Sequence, residues 1–308
     1  MENSETNFVT IIKEICEEQS IQLTSLGGDW GFLLKKGEKK GHIVGYQFGL
    51  NTAVSAELCS DKSMASELLA AEGVPCVPHH CFMAPHMFQY VGGNGNWEKL
   101  ERLLEQYGTM VCKDNRGTGG REVYLVRSQK ELEQAADRIF DRADAMAVSP
   151  YCEIRREYRV ILLDQEVMVV FLKIRQHLTG DGRQSIRHLY ADYLAEGGTG
   201  QAIIEKKDLE RVLGVGEVYP LNWEHNLGQG AYAQVLSEEA TRDICDLARQ
   251  AAECLGIRFA SVDVADTAKG IRVLEVNSGV MMENLAGMSR EYRQLAKSIY
   301  ERAIFKML

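Results

Sequence analysis

The most restrictive stretch of the chain lies near its C-terminal end. Phe259-Ala260-Ser261-Val262-Asp263-Val264 and Ile271-Arg272-Val273-Leu274-Glu275-Val276-Asn277 are β-like runs joined by turn-forming residues from Asp266 to Gly270. Side chains alternate along a strand, so Glu275 and Asn277 share a face, and a hairpin sets Asp263 beside them. Two carboxylates and an amide oxygen then meet in a small space, with apolar neighbours pointing the other way. Hard oxygen donors in that number suit Mg²⁺, which takes one or two protein carboxylates and leaves its other positions to phosphate and water. The expectation is a nucleotide-triphosphate site in a chain that has no Gly-x-x-x-x-Gly-Lys-Ser/Thr loop.

A length of 308 residues allows two or three subdomains around a sizeable core. The net charge of −9 argues against nucleic acid or anionic membrane as a bulk partner, so a phosphate site must be a local cluster of cations. No apolar run is long enough to span a bilayer, and Met1-Glu2-Asn3-Ser4-Glu5 is no signal-peptide start. The eight cysteines include no Cys-x-x-Cys pair and several sit in apolar runs, which reads as reduced, buried thiols and a cytoplasmic location. Cys76, His79, His80 and Cys81 match no common zinc spacing.

Periodicity predicts a helix over 6–18 through Phe8, Ile11, Ile12 and Ile15. The basic, glycine-rich stretch 35–41 reads as a solvated turn. A helix over 61–72 is expected to turn Met64, Leu68 and Leu69 inward and to end at Gly73, after which Pro75 and Pro78 mark an extended crossing. Residues 82–147 read as a small α/β unit. It has a helical stripe of Trp97, Leu100, Leu103, Leu104 and Tyr107, strands over 109–113 and 122–126, and a capping box from Ser128 to Glu131. That box opens a helix burying Leu132, Ala135, Ala136, Ile139 and Phe140. Strands over 158–163 and 167–174 form a hairpin, Gly180-Asp181-Gly182 turns, and 189–213 is helical in parts. Helices are expected over 237–255 and 290–305. The order of elements suggests α+β subdomains around a cleft, not a doubly wound sheet.

Three further stretches carry chemistry. Lys113 ends a strand, Gly117-Thr118-Gly119-Gly120 follows with Arg121 after it, and another strand begins. Glycines let backbone N–H groups close on phosphate oxygens, and the lysine adds a point charge; a ligand-free tight hairpin would look the same. Glu157-Tyr158-Arg159 puts an acid suited to ribose hydroxyls two residues from a cation suited to phosphate, or a simple salt-bridged strand start. Lys173 and Arg175 share a strand face, where like charges repel unless an anion lies between them.

In this order the elements resemble the ATP-grasp superfamily over roughly residues 50–285, most closely the ATP-grasp part of the cyanophycin synthetases and related glutamate and glutathione-type ligases. Asn51, Asp61-Lys62, Leu69 and Gly73-Val74-Pro75 resemble its opening segment. Lys113 with Gly117–Gly120 resembles its phosphate-covering loop, and Glu157-Tyr158-Arg159 its acid-x-Arg strand. Gly180-Asp181-Gly182 is similar to its turn, and Glu275-Val276-Asn277 to its metal signature. Asn226-Leu227-Gly228-Gln229-Gly230 stands where the family has Asn-Leu-Ser-Thr-Gly-Gly, and Ser278-Gly279-Val280 where a Pro-Gly is common.

The resemblance implies an ATP-grasp fold: two α+β subdomains gripping ATP, at 81–148 (with the lid loop) and 149–308 (with the metal site), preceded by a short N-terminal region, 1–80. It implies an ATP-dependent carboxylate–amine ligase working through an acylphosphate on an amino acid or small peptide. ATP and Mg²⁺ are its cofactors, two ions replaceable by Mn²⁺. Asp263, Glu275 and Asn277 are the implied metal ligands. Lys62, Lys113, Gly117, Thr118, Gly119, Gly120, Ser149, Tyr151 and Glu157 are implied to bind nucleotide, with the adenine near 149–151. Arg159, Lys173 and Arg175 are the implied catalytic cations, and Asn226, Gly228, Gly230, Ser278 and Gly279 the implied substrate contacts. The implied partners are small-molecule carboxylate and amine substrates and further copies of the chain, with no nucleic acid and no membrane. The alternatives are a catalytically silent nucleotide-binding or regulatory protein, and another ATP-grasp reaction such as biotin carboxylation, for which no biotin-site motif is visible.

Overall fold

The computed structural model describes residues 5–92, 97–120, 122–198, 202–223 and 225–308, apart from the side chain of Gln229. Arg121 of the glycine-rich stretch and the first four residues of the N-terminal reading lie outside them. The described residues fall into two compact units, one within Met1–Val170 and Leu236–Leu308, the other within Phe171–Val235.

The first unit opens with α1 (Asn7–Glu18), which buries Phe8, Ile11, Ile12 and Ile15 as the spacing predicts. The Glu283 carboxylate accepts hydrogen bonds from the otherwise orphaned N–H groups of Asn7 and Phe8 at 3.0 and 2.8 Å. A four-stranded antiparallel meander follows: β1 (Gln22–Leu26), β2 (Gly31–Lys36), β3 (Lys39–Val44) and β4 (Gln47–Phe48). The solvated turn expected over 35–41 is therefore mostly strand. Lys35 pairs with Lys40 and Lys36 with Lys39, and the bend is confined to Gly37 and Glu38. Lysine pairs at the hairpin tip hide the period-2 burial of Phe32, Leu34 and Ile43.

Helices α2 (Ala53–Ser60) and α3 (Lys62–Ala71) come next. Met64 is exposed, contrary to expectation, and Leu68 is half-buried. The inward face of α3 is Lys62, Ser63, Ala65, Ser66 and Leu69. Polar residues hold the buried side because it lines the candidate site, so an apolar stripe is the wrong guide there.

A second antiparallel sheet has the order β5–β8–β6–β7. Its elements are β5 (His80–Met83), α4 (Phe88–Val91), α5 (Trp97–Tyr107), β6 (Met110–Asp114), β7 (Val123–Val126), α6 (Gln129–Phe140) and β8 (Ala145–Pro150). Phe82, Leu100, Leu103, Met110, Leu132 and Ile139 form its core. Ser128 Oγ accepts from Glu131 N–H at 3.3 Å, while the Glu131 carboxylate reaches back to Arg127 N–H rather than to the cap residue. The hairpin β9 (Ile154–Leu163) and β10 (Glu166–Ile174) turns on Asp164 and Gln165, both left-handed at φ 49° and 67°, the two-residue geometry that suits strand twist.

The second unit starts within β10 and holds β11 (His177–Thr179), α7 (Ile186–Ala195), β12 (Val218–Pro220) and β13 (Tyr232–Leu236). Leu178, Ile186, Leu213 and Leu221 are its core. The helix expected within 189–213 is the end of α7; residues 199–201 lie outside the described ones. Gly180 is required here, since a Cβ would sit 2.1 Å from the Gly214 carbonyl oxygen.

The chain returns to the first unit through α8 (Arg242–Cys254), preceded by a 3₁₀ turn at Glu239–Thr241 where continuous helix was expected. The opening hairpin is β14 (Phe259–Thr267) and β15 (Gly270–Asn277), and β14 lies between β9 and β15. The Pro75–Pro78 crossing runs along the outer side of β15. Val77 N–H donates to Val273 O and Val273 N–H to Pro75 O, both at 2.9 Å, which covers an otherwise open strand edge. Helices α9 (Glu283–Met288), not foreseen, and α10 (Arg290–Met307) complete the chain. Among the described residues no helix is long and apolar enough to cross a membrane, and the eight cysteines are free.

Candidate functional site

The site grows from the registers of three neighbouring strands. Asp263 on β14 is directly opposite Glu275 on β15 and directly opposite Arg159 on β9. Ser261 is opposite Asn277, so Asp263, Glu275 and Asn277 fall on one face, as period-2 alternation predicts. Leu274 is the extra residue of a bulge between these pairs and the Val264–Val273 pair, which keeps Val273 and Val276 buried.

Two carboxylates directly opposite each other repel, and here each has a cation. Arg159 donates to Asp263 through Nε and Nη2, both bonds 2.7 Å long, in a bidentate fork. Lys62 Nζ lies 3.6 Å from Glu275 Oε1. Burial opposes the charge on Arg159, but Asp263, with help from Glu157 and Glu275, outweighs it and holds the guanidinium pKa above its usual value. Lys113 is half-buried on β6. Desolvation lowers its pKa and Lys62 adds to that, against the opposing pull of Glu275, Glu157 and Asp263. Glu157 is buried two residues before Arg159 on β9.

Lys62 also ties down the glycine-rich loop. Its Nζ donates to Gly117 O at 2.5 Å and its N–H to Asn115 O at 3.2 Å. Asn115, 1% exposed, accepts from Ser63 N–H at 3.1 Å through Oδ1. Gly117 leaves no room for a side chain, since a Cβ would lie 2.9 Å from Asp114 Cβ; Gly119 and Gly120 are left-handed at φ 73° and 70°, and Thr118 is exposed. Asn115 escaped the sequence reading because its role lies in a contact across 52 residues. Asp61 left a local signal, an acid at a helix N-cap, and it accepts from Met64 N–H at 2.9 Å and Ser63 Oγ at 2.7 Å.

His79 is buried nearby with Nδ1 3.0 Å from Val77 O. Desolvation, with Lys113 and Lys62 adding to it, holds its pKa well below the imidazole range, so it is neutral. Ser149 is buried in β8, and the Tyr151 N–H donates to Thr109 O at 3.0 Å, so that group is already engaged within the sheet. Ser278 is buried, and its carbonyl accepts from Asn51 Nδ2 at 3.3 Å. Gly279 lies against Tyr46, where a Cβ would be 3.5 Å from Tyr46 Cβ.

Lys173, Arg175, Asn226, Gly228 and Gly230 belong to the second unit. Lys173 is buried on β10, and Arg175 follows that strand. Burial, with Arg175 and Lys173 adding to it, pushes the His225 pKa down to about 3. Asn226 Oδ1 accepts from Gly228 N–H at 2.9 Å, and Gly230 packs on Gln176, 2.7 Å from a Cβ position.

Among the described residues no three His, Cys, Asp or Glu side chains cluster to hold a metal. Asp263, Glu275 and Asn277 differ in offering two carboxylates and an amide, an all-oxygen set that fits Mg²⁺ rather than a softer ion.

The chain has the ATP-grasp fold. A bifunctional glutathione synthetase from Pasteurella multocida matches 95% of this chain and 44% of its own, with a TM-score of 0.55 and 16% identity. A D-alanine–D-alanine ligase from Bacillus anthracis matches 83% of this chain and 71% of its own, with a TM-score of 0.54 and 15% identity. In sequence the chain is similar to the cyanophycin synthetase of Trichormus variabilis, 24% identical over 303 residues that cover 84% of this chain and 32% of that protein. The chain thus spans about a third of the length of the cyanophycin synthetases it matches. No protein-family model matches it.

Proposed function

We propose that the chain is an ATP-dependent carboxylate–amine ligase. The observation that carries this reading is the Asp263–Glu275 cross-strand pair with Asn277 on the same face, ringed by Lys62, Lys113 and Arg159. The shared fold with a glutathione synthetase and a D-alanine–D-alanine ligase supports it. The substrates are ATP, a small-molecule carboxylate such as that of an amino acid or small peptide, and an amine. The carboxylate oxygen takes the terminal phosphoryl group, giving an acylphosphate and ADP. The amine nitrogen then attacks the acyl carbon, phosphate leaves, and an amide remains after the nitrogen loses a proton.

On this reading Lys62 and Lys113 hold phosphate oxygens, and the loop from Gly117 to Gly120 covers them and keeps water from the acylphosphate. On the same reading Glu157 offers a carboxylate to ribose hydroxyls, and Ser149 and Tyr151 are the proposed neighbours of the base. Asp263, Glu275 and Asn277 would hold Mg²⁺, one or two ions with Mn²⁺ as a substitute, whose charge offsets that of the phosphates when bound. Ser278 and Gly279 are proposed acceptor-side contacts, and the assembly is proposed to be a homo-oligomer.

The test is ADP release with ATP, Mg²⁺ and pools of amino acids, products being read by mass spectrometry. The intact chain is expected to release ADP with formation of an amide. Glu275→Ala is expected to cut turnover by roughly a hundredfold or more, with folding retained by circular dichroism. Near wild-type ligation by a folded Glu275→Ala protein would overturn the reading.

A further inference from the structure

Both carboxylates of the proposed metal site are already engaged by cations of the protein itself. Asp263 is only 6% exposed and takes both arms of the Arg159 fork. Glu275 has the buried Lys62 ammonium 3.6 Å away. Lys113 and Glu157 act on the same groups: both acids and Lys62 influence Lys113, and Glu157 acts on Arg159 as well. Among the described residues that these interactions link, three cations (Lys62, Lys113, Arg159) face three carboxylates (Glu157, Asp263, Glu275). A divalent cation entering such a balanced, largely buried set without an anion would leave two positive charges uncompensated, which desolvation penalises heavily.

We propose that Arg159 and Lys62 are tethered stand-ins for the metal in the nucleotide-free protein, so that divalent cation and triphosphate enter only together. The inference rests on the ligase reading and deepens it. A triphosphate brings the missing negative charge and offers Arg159 and Lys62 new partners. That frees Asp263 and Glu275 at the moment a divalent ion needs them. Each ligand therefore raises the affinity for the other by the same factor. Lys62 carries a second consequence, because the ammonium that leaves Glu275 is the one bound to the Gly117 carbonyl. The exchange at the metal face thereby reaches the glycine-rich loop. Arg159 is on this account a positioning residue for Asp263 before it meets any phosphate.

The experiment is a titration of the intact chain with Mn²⁺, followed by electron paramagnetic resonance of the free ion, with and without a non-hydrolysable ATP analogue. Wild-type protein is expected to take up Mn²⁺ at least about tenfold more tightly with the analogue than without it. Arg159→Gln is expected to gain Mn²⁺ binding in the absence of nucleotide by about tenfold, since Asp263 then lacks its countercharge. Lys62→Met is expected to do the same through Glu275 and serves if the first variant does not fold. Equal Mn²⁺ affinity with and without the analogue in wild-type protein would overturn the inference while leaving the ligase reading intact. So would folded variants that gain no metal binding. Absence of any Mn²⁺ uptake even with the analogue would sink the ligase reading and the inference with it.

Discussion

Tyr300 is 1% exposed and its hydroxyl has two jobs. It donates to Val280 O at 2.9 Å and accepts from Met282 N–H at 3.0 Å, in the loop that follows Asn277. Burial first, with the Glu283 charge adding to it, moves the phenol pKa upward against the Met282 bond, so the group is a neutral donor. Tyr300→Phe leaves a buried carbonyl and a buried N–H without their partner, which costs about 1–3 kcal/mol. Urea unfolding should show a loss in that range; a change under a few tenths would mean that the loop finds other partners. The residue scale is also where the sequence is least legible. Tyr300 reads as one more apolar position in a helix, and nothing local ties it to residues 280–282. The same holds for Arg159. Alternation along β9 shows its face, but its pairing with Asp263 depends on β9 lying beside β14, 104 residues away in the chain.

Asp61 acts at the scale of an element. It caps α3 and, through Ser63 and Asn115, links that helix to the start of the glycine-rich loop. Burial works to raise its pKa, but hydrogen bonds from Met64 N–H, Ser63 and Asn115 and the nearby Arg116 charge outweigh it, and the net shift is downward from 3.8. A carboxyl whose folded pKa is depressed contributes stability that is complete above its unfolded value and is lost as pH falls through the folded one. Thermal unfolding followed from pH 7 to pH 3 should therefore show a smaller fall for Asp61→Asn than for wild type, the difference opening only below about pH 4. An identical fall would show that the carboxylate charge does not matter. Asp61→Ala should cost about 1 kcal/mol at neutral pH through the lost cap. Elements with a strong period, a cap or a stop were visible in the sequence: α1, α5, α6, α10, the β9–β10 hairpin and the β14–β15 hairpin that brings Asp263 to Glu275. The elements that were missed are short or carry a masked signal, as where lysines at the turn hide the period of β2 and β3. β4 is two residues long, α9 is six, and α2 buries only Ser55 and Cys59. Met64 misled because α3 buries polar residues against the site.

At the scale of the first unit, the N-terminal meander supports the loop beside the candidate metal face. Phe48, 2% exposed, stacks on Tyr300 at 5.7 Å and meets Phe259, the first residue of β14, edge-on at 5.1 Å. Val280 N–H donates to Tyr46 O at 3.1 Å, and Asn51 bonds both ends of the hairpin, to Phe259 O at 2.8 Å and Ser278 O at 3.3 Å. Residues 46–51 thus brace the loop that Asn277 opens. Phe48→Ala should cost about 3–5 kcal/mol in urea unfolding, because an aromatic ring leaves a cavity among rings that cannot close over it. Phe48 and Tyr300 touch, so the double variant Phe48→Ala with Tyr300→Phe should depart from the sum of the single effects by about 0.5–3 kcal/mol. The functional arm is calorimetry with Mg²⁺ and a non-hydrolysable ATP analogue under conditions where Phe48→Ala remains folded. Weaker uptake would place the meander in the energetics of the site. Unchanged affinity with lowered stability would confine it to packing.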